Sequence, residues 1–298
     1  MLKKKPSEES SEISTQQEIK EIIESIKKEF GEESIVLLGE NEKKKREIIS
    51  TGSYLLDQAI GVGGYVCGKI VEIYGLQSSG KSTLALHAVS ECQKLGKKAA
   101  YFDLENGLDI EYAESIGVKS KELIFPYPSS GEEAFNIMIE LIRKNIDLII
   151  VDSVSNLVPL SQLEASLEKQ RIGSHAALMS AGLRKLKPEL ANKKTVIIFI
   201  NQIRKNISTS YFASPEVTTG GMSLDFDSDL RIKLKKKEDV KRNEKIVGIE
   251  VEAKIIKNKL APHGKVVNLE IIFPHGIQKK REILDLAVEK EIVQKSGN

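Results

Sequence analysis

From Thr15 to Phe30 the apolar residues Ile19, Ile22, Ile23, Ile26 and Phe30 recur at i, i+3, i+4, i+7 and i+11. That spacing lays one stripe along an amphipathic helix, and Gly31 predicts its stop. Residues 1–13 are polar, rich in Lys, Glu and Ser, without a period, and read as a disordered tail. The charged run Asn41–Arg46 reads as a linker, so residues 14–48 stand apart as a helix with its connection. A stripe set apart in this way must bury itself against the core or against another subunit.

From Gly68 onward, apolar runs of strand length alternate with helical patterns. The strands expected are Ile70–Tyr74, Ala99–Leu104, Leu123–Phe125, Leu148–Val151 and Thr195–Ile200. Between them fall helical stretches at Lys81–Leu95, Asp109–Ile116, Glu132–Arg143 and Ile172–Leu190. Such alternation means βαβ units, hence a mostly parallel sheet with helices on both faces. After Gly221 the pattern changes to strands alone, at Ser228–Leu234, Ile246–Lys257 and Val266–Phe273, which predicts an antiparallel extension. A last helix is expected at Glu282–Val293.

Composition narrows the class. The 298 residues are 40% hydrophobic and 30% charged, which is globular. The longest tight apolar run, Val196–Ile200, has strand length, so no membrane span is expected, and the Lys-bearing N-terminus lacks the apolar core of a secretory signal. Two cysteines, Cys67 and Cys92, give neither a disulfide framework nor a zinc-site spacing. These features predict a cytoplasmic protein. The net charge of +2 conceals an asymmetry: residues 231–298 carry 17 Lys+Arg against 10 Asp+Glu. A solvated Lys-rich surface and an anion-facing surface both fit that excess.

Chemistry concentrates where Ile70–Tyr74 ends. Gly75, Leu76, Gln77, Ser78, Ser79, Gly80, Lys81 and Ser82, followed by Thr83, match G-x-x-x-x-G-K-[ST] between a strand and a helix. In that context backbone N–H groups of the loop and the helix N-terminus cradle phosphates. Lys81 then reaches the β- and γ-phosphates and Ser82 holds the bridging Mg²⁺, so ATP and Mg²⁺ are the expected ligands. Asp152 closes the apolar strand Leu148–Val151 at the end where α/β sheets collect ligands, suited to the metal shell. Glu105 follows the strand after the loop helix; it suits a general base for water, or equally a solvent-facing turn acid. Tyr112 suits base stacking or an ordinary core position. Residues 205–222 form a long polar loop rich in Gly, Ser and Thr, with Tyr211 and Phe212, directly after a buried strand. Loops of that length are usually functional, and this one suits single-stranded nucleic acid.

These residues occur in an order that resembles bacterial RecA, the homologous-recombination family. The resemblance runs over Ile49–Ser53 with Leu56 and Asp57, Ile70–Gly75, Ser78–Lys81, Asp103, Glu105, Leu108, Asp109, Tyr112 and Val151–Val154. It continues through Ile200–Arg204, Pro215, Glu216, Thr218–Gly221 and Lys257–Lys259. It implies a RecA-like P-loop NTPase core over residues 49–298, preceded by an N-terminal segment (14–48) that packs on the adjacent protomer of a helical filament. By resemblance Glu105 activates water, Asp109 and Tyr112 form the adenine site, and Gln202 senses the γ-phosphate. Lys257 and Lys259 reach the ATP of a neighbouring subunit. DNA contacts are implied for a first loop at about 161–174, with Lys169 and Arg171, and for Arg184, Arg204, Tyr211, Phe212, Gly220 and Gly221. The implied activity is DNA-stimulated ATP hydrolysis on single-stranded DNA with pairing to homologous duplex, in DNA repair and the SOS response. SOS repressor and recombination mediators are the implied further partners. The alternative within the family is a regulatory paralogue that binds ATP, DNA or partners without strand exchange.

Three departures stand out. By resemblance, Ala177 stands where the family usually has an arginine that contacts single-stranded DNA, with Arg171 near enough to substitute, and Asp225 stands where an interface lysine is usual. Asn298 falls where the family normally continues into a C-terminal domain associated with capturing duplex and restraining assembly, so weaker duplex uptake but easier nucleation on DNA is expected.

Overall fold

The computed structural model describes residues 6–32, 34–37, 46–164, 173–205 and 216–294. The chain divides into two units, residues 1–46 and 47–298.

Among its described residues, the first unit holds one helix, α1 (Pro6–Phe30). It ends at Gly31, whose φ of 97° breaks the helix and whose N–H bonds Lys27 O at 2.8 Å. The helix starts earlier than the apolar stripe, inside the stretch read as a tail. After Pro6, itself compatible with a first helical turn, no glycine or proline interrupts it. Within the stripe, Ile19, Ile22 and Phe30 are exposed.

The second unit opens with a small ribbon, β1 (Ile48–Ile49) against β2 (Tyr65–Val66), around α2 (Tyr54–Ile60). The strands and helices of the main layer follow: β3 (Ile70–Gly75), α3 (Lys81–Lys94), β4 (Ala99–Asp103), α4 (Ile110–Ile116), α5 (Gly131–Arg143) and β5 (Leu148–Asp152). Next come α6 (Leu160–Leu163), α7 (Ser174–Leu190), β6 (Val196–Lys205), β7 (Glu216–Thr218) and α8 (Ser223–Asp227). The end comprises β8 (Leu230–Arg242), β9 (Lys245–Asn258), β10 (Val266–Ile272), β11 (Gly276–Ile277) and α9 (Lys279–Glu289).

The sheet has the order β11-β10-β9-β8-β3-β6-β5-β4, with β7 added to the end of β6. Strands β8, β3, β6, β5 and β4 are parallel, whereas β9, β10 and β11 continue antiparallel. The centre is buried on both faces, as crossover helices require, and alternate residues sort into two cores. Val196, Ile198 and Ile200 join Leu148 and Ile150 under α3, while Ile197, Phe199, Ile149 and Val151 pack under α5 and α7.

Three elements differ from the sequence pattern. Leu123–Phe125 makes only one parallel bridge, Ala100 to Ile124, because Pro126 follows without an N–H to extend the ladder. Strand β8 runs eight residues past Leu234; its outer part pairs with β9 through a turn at Asn243 (φ 47°) and Glu244 (φ 62°), and its Lys-rich sequence masks the alternation. Helix α9 starts and stops earlier than expected, since Ile292 N turns back to Ala287 O and Glu291 adopts a φ of 56°.

Candidate active site

The parallel register brings the functional ends together. Gly75 pairs with Gln202 across β3 and β6, and Asp103 with Asp152 across β4 and β5, so the loops that follow all open on one edge. Ligands of open α/β sheets bind at that edge.

The phosphate loop leaves β3 at Gly75, where a Cβ would stand 2.2 Å from Leu234 O of β8, so only glycine fits. Ser78 (φ 57°) and Gly80 (φ 84°) curl the backbone in left-handed conformations, which turns successive N–H groups into one concavity at the start of α3. Gln77 and Leu76 point outward and are exposed. Lys81 is only 8% exposed and its Nζ donates to Leu76 O at 2.8 Å within the loop. Burial lowers its pKa, against the opposing pull of Asp152 and Glu105. The hydroxyl of Ser79 is buried with no partner among the described residues. An anion in the concavity would satisfy both the Ser79 donor and the Lys81 ammonium, so the loop fits a nucleoside triphosphate.

Strand alternation then decides what faces α3. Asp152 follows Leu148 and Ile150 on that face, and Tyr101 follows Ala99. Asp152 Oδ2 accepts from Ser82 Oγ at 2.6 Å and from Tyr101 OH at 2.7 Å. Burial raises the Asp152 pKa, and raises Tyr101 well above the usual phenol value. A hydroxyl beside a buried carboxylate is a hard-oxygen donor set suited to Mg²⁺ next to phosphates.

Across the mouth of the loop, Glu105 is exposed but fixed. Its Oε1 accepts from Ser153 Oγ at 2.5 Å and from Gln202 Nε2 at 2.7 Å. Ser153 also sits 2.5 Å from Ser155 Oγ. To the side, Asp109 caps α4 by accepting from Tyr112 N at 3.1 Å, and the Tyr112 hydroxyl lies 3.0 Å from Thr83 Oγ1. Tyr112 is thus tied to the first turn of α3, directly after the phosphate loop. The structure therefore gathers Lys81, Ser82, Thr83, Asp152, Glu105, Gln202, Asp109 and Tyr112 into one site.

Lys257 and Lys259 are not in it. In register, Lys257 pairs with Arg231 and Arg231 with Glu72, so the pair lies toward the start of β3, at the sheet end opposite the phosphate loop. Lys257 Nζ donates to Asp225 O and, at 3.0 Å, to Phe226 O, and Lys259 Nζ meets Asp229 Oδ1 at 3.2 Å. Burial and the neighbouring Lys259 lower the Lys257 pKa.

Among the residues expected to contact DNA, Lys169, Arg171, Tyr211 and Phe212 lie outside the described residues. Arg204 belongs to β6, and Arg184 is exposed on α7, as is Ala177. Gly220 and Gly221 form a left-handed turn packed on α7 beside Met179, His175 and Ala176. Sequence reasoning assigned no role to Tyr101, Ser153, Glu72 or Asn201. Glu72 carried a readable signal: a charge inside the apolar run Ile70–Tyr74 must find a partner when that strand is buried.

Comparison with known proteins agrees with this geometry. Residues 17–278 match the family model for the RecA N-terminal domain. Protein RecA of Mycoplasma mycoides subsp. mycoides SC is 46% identical over 288 residues, covering 96% of this chain and 83% of the relative. Protein RecA of Limosilactobacillus reuteri is 45% identical over 276 residues, covering 92% of this chain and 76% of the relative. Among solved structures, the RadB recombinase superposes with a TM-score of 0.58 at 24% identity, over 77% of this chain and 98% of that one, which shows the shared fold. A phosphate loop on a RecA-like sheet, matched along nearly its whole length, shows that this chain belongs to the RecA family of recombinases.

Proposed function

We propose that the chain assembles with ATP and Mg²⁺ into a helical filament on single-stranded DNA, hydrolyses ATP when so assembled, and pairs the bound strand with homologous duplex. The observation that carries this reading is the convergence of Ser153 and Gln202 on one oxygen of Glu105. With Oε1 occupied twice, Oε2 is left to take a proton from an attacking water, and the carboxylate is held against rotation. Gln202 stands on β6, the strand that runs into the 205–222 loop, so the group that orients the base also borders the DNA-binding segment. Lys81 and the loop N–H groups bear on the phosphates; Ser82 and Asp152 would hold Mg²⁺, which would supply charge neutralisation there. Tyr112 and Asp109 take the base.

The position of Lys257 and Lys259 supports action in trans. Groups at the two ends of one sheet meet only when copies stack head to tail, and such a heterologous contact builds a helical filament when its rotation does not close into a ring. A lysine arriving from the next copy stabilises transition-state charge and makes turnover depend on assembly. Action on DNA in repair and the damage response, and a cytoplasmic location, belong to the same proposal; among the described residues no helix is long and apolar enough to cross a membrane.

The test is ATP hydrolysis with and without single-stranded DNA, beside a strand-exchange assay, on wild type and Lys81→Ala. Expected are DNA-stimulated turnover and strand exchange in wild type, both lost in Lys81→Ala with its fold intact. ATP binding without DNA stimulation or exchange would instead identify a regulatory paralogue.

A further inference from the structure

The sheet face turned away from α3 carries a buried polar junction that hydrolysis does not use. Glu72, within β3, is 0% exposed. Its Oε1 accepts from Asn201 Nδ2 at 2.9 Å and its Oε2 from Arg231 Nε at 2.5 Å. Asn201, equally buried, donates also to Thr219 O at 2.9 Å, and its Oδ1 accepts from Gln202 N at 2.9 Å. Arg231 lies over the Tyr74 ring at 4.7 Å and forms an ion pair with Asp225 through Nη1. The carbonyl of that same Asp225 receives Lys257 Nζ.

A carboxylate in the middle of a buried apolar strand is costly unless every oxygen is paired. Here each oxygen is paired by a different strand, β6 on one side and β8 on the other. The chain of contacts therefore leads from the glutamine that touches Glu105 to two places outside the site. One is Thr219, at the far end of the 205–222 loop, and the other is the α8 turn on which Lys257 rests. The amide of Asn201 cannot move with Gln202 and keep both acceptors in geometry unless Thr219 moves too. Beside it, the Thr219 hydroxyl is buried without a partner among the described residues, a group ready to bond in a second arrangement.

We propose that Glu72 is a positioning residue which, with Asn201 and Arg231, makes the position of Gln202, the end of the DNA-binding loop and the Lys257 face change together. The proposal rests on the function given above and adds the residues through which nucleotide state is passed on. Glu72→Gln isolates it. A glutamine still accepts from Asn201 but presents an N–H to Arg231, so one arm breaks while side-chain shape is kept.

The first readout is hydrogen exchange of residues 216–222 with and without ATP. In wild type ATP should change their protection, and in Glu72→Gln that change should be lost while ATP affinity stays close to wild type. The second is affinity for a labelled single-stranded oligonucleotide: the gain brought by ATP should fall by about tenfold or more, with nucleotide-free affinity unaltered. A merely structural role would instead lower the melting temperature and weaken ATP binding and both DNA affinities together, and would overturn the proposal. An ATP-induced protection change equal to wild type would also overturn it. Where Glu72→Gln does not fold, Asn201→Ser breaks the other arm and carries the same expectation. Absence of any ATP effect on DNA affinity in wild type would count against the proposed function, while the exchange readout would still decide on the junction.

Discussion

The phosphate loop and the Lys257–Lys259 strand end occupy opposite ends of one sheet, and they are built differently. At the loop, the concavity, lysine, hydroxyl and carboxylates all come from one chain and converge within hydrogen-bond reach. At the other end, two cations rest on the Asp225 and Phe226 carbonyls and on Asp229, away from the phosphate loop. The loop is a site. Under the proposed function, the strand end contributes to a site that only a second copy presents. On that proposal, separating the two makes hydrolysis a reporter of assembly: binding would need one chain and turnover two.

The largest expected effect breaks the second half of that contrast. Replacing both Lys257 and Lys259 by alanine should cut DNA-stimulated turnover by about 10³–10⁵-fold, the range of a charge supplied in trans, with ATP affinity retained. Mixing that variant with Lys81→Ala subunits should restore part of the turnover, since each supplies what the other lacks. Steady-state hydrolysis across mixing ratios checks this; a strictly inactive mixture would mean that the lysines serve their own chain.

Next in size, Glu105→Ala should lower turnover by about 10²–10⁴-fold, as for loss of a general base, with filaments still forming on DNA under ATP. Phosphate release and electron micrographs of the same sample measure it. Failure to bind ATP would place Glu105 in the binding machinery instead.

A smaller effect probes the packing behind the loop helix. Burial, with Lys279 nearby, lowers the His87 pKa to about 4, and its Nε2 accepts from Ile277 N at 2.8 Å, which docks β11 on α3. The folded value lies below the unfolded value of about 6.5, so the unfolded chain binds more protons between the two. His87 therefore contributes fully above pH 6.5 and loses its contribution as pH falls toward 4, about 3 kcal/mol in all. Glu282 and Asp57, whose pKa values burial raises, act in the opposite sense, so the readout is the difference between wild type and His87→Gln. Urea unfolding at several pH values should show that difference closing on acidification.

What the sequence made legible followed from local regularity. The alternation of strand-length and helix-length runs set the parallel sheet, and the Gly75–Ser82 spacing needed only its own neighbours to be understood. Asp152 could be placed because a single apolar strand points it at the ligand edge. Tyr101 could not, since inside an apolar strand its hydroxyl looks like any core tyrosine until the parity of β4 and β5 puts it on Asp152. Ser153 and Gln202 lie 49 residues apart in sequence, and their meeting at Glu105 is a product of the fold. The Glu72 junction was hidden for the same reason, its partners standing 129 and 159 residues away. The outer half of β8 failed differently: it is held by hairpin pairing, and its lysines carry no core-facing alternation to detect.

The contact between Gly75 and Leu234 has a consequence for how the protein is made. The entrance of the phosphate loop is walled by β8, which pairs with β3 from Val71 to Gly75 but emerges from the ribosome some 155 residues later. Until then β3 ends a sheet with an unpaired edge, the condition that invites strand addition from other chains. A nascent chain halted near Ser228 would carry every motif of the nucleotide site and yet lack the wall that shapes it. Maturation of the catalytic end is thereby deferred to the last quarter of synthesis, and arrested fragments should be substrates for chaperones rather than half-active enzymes.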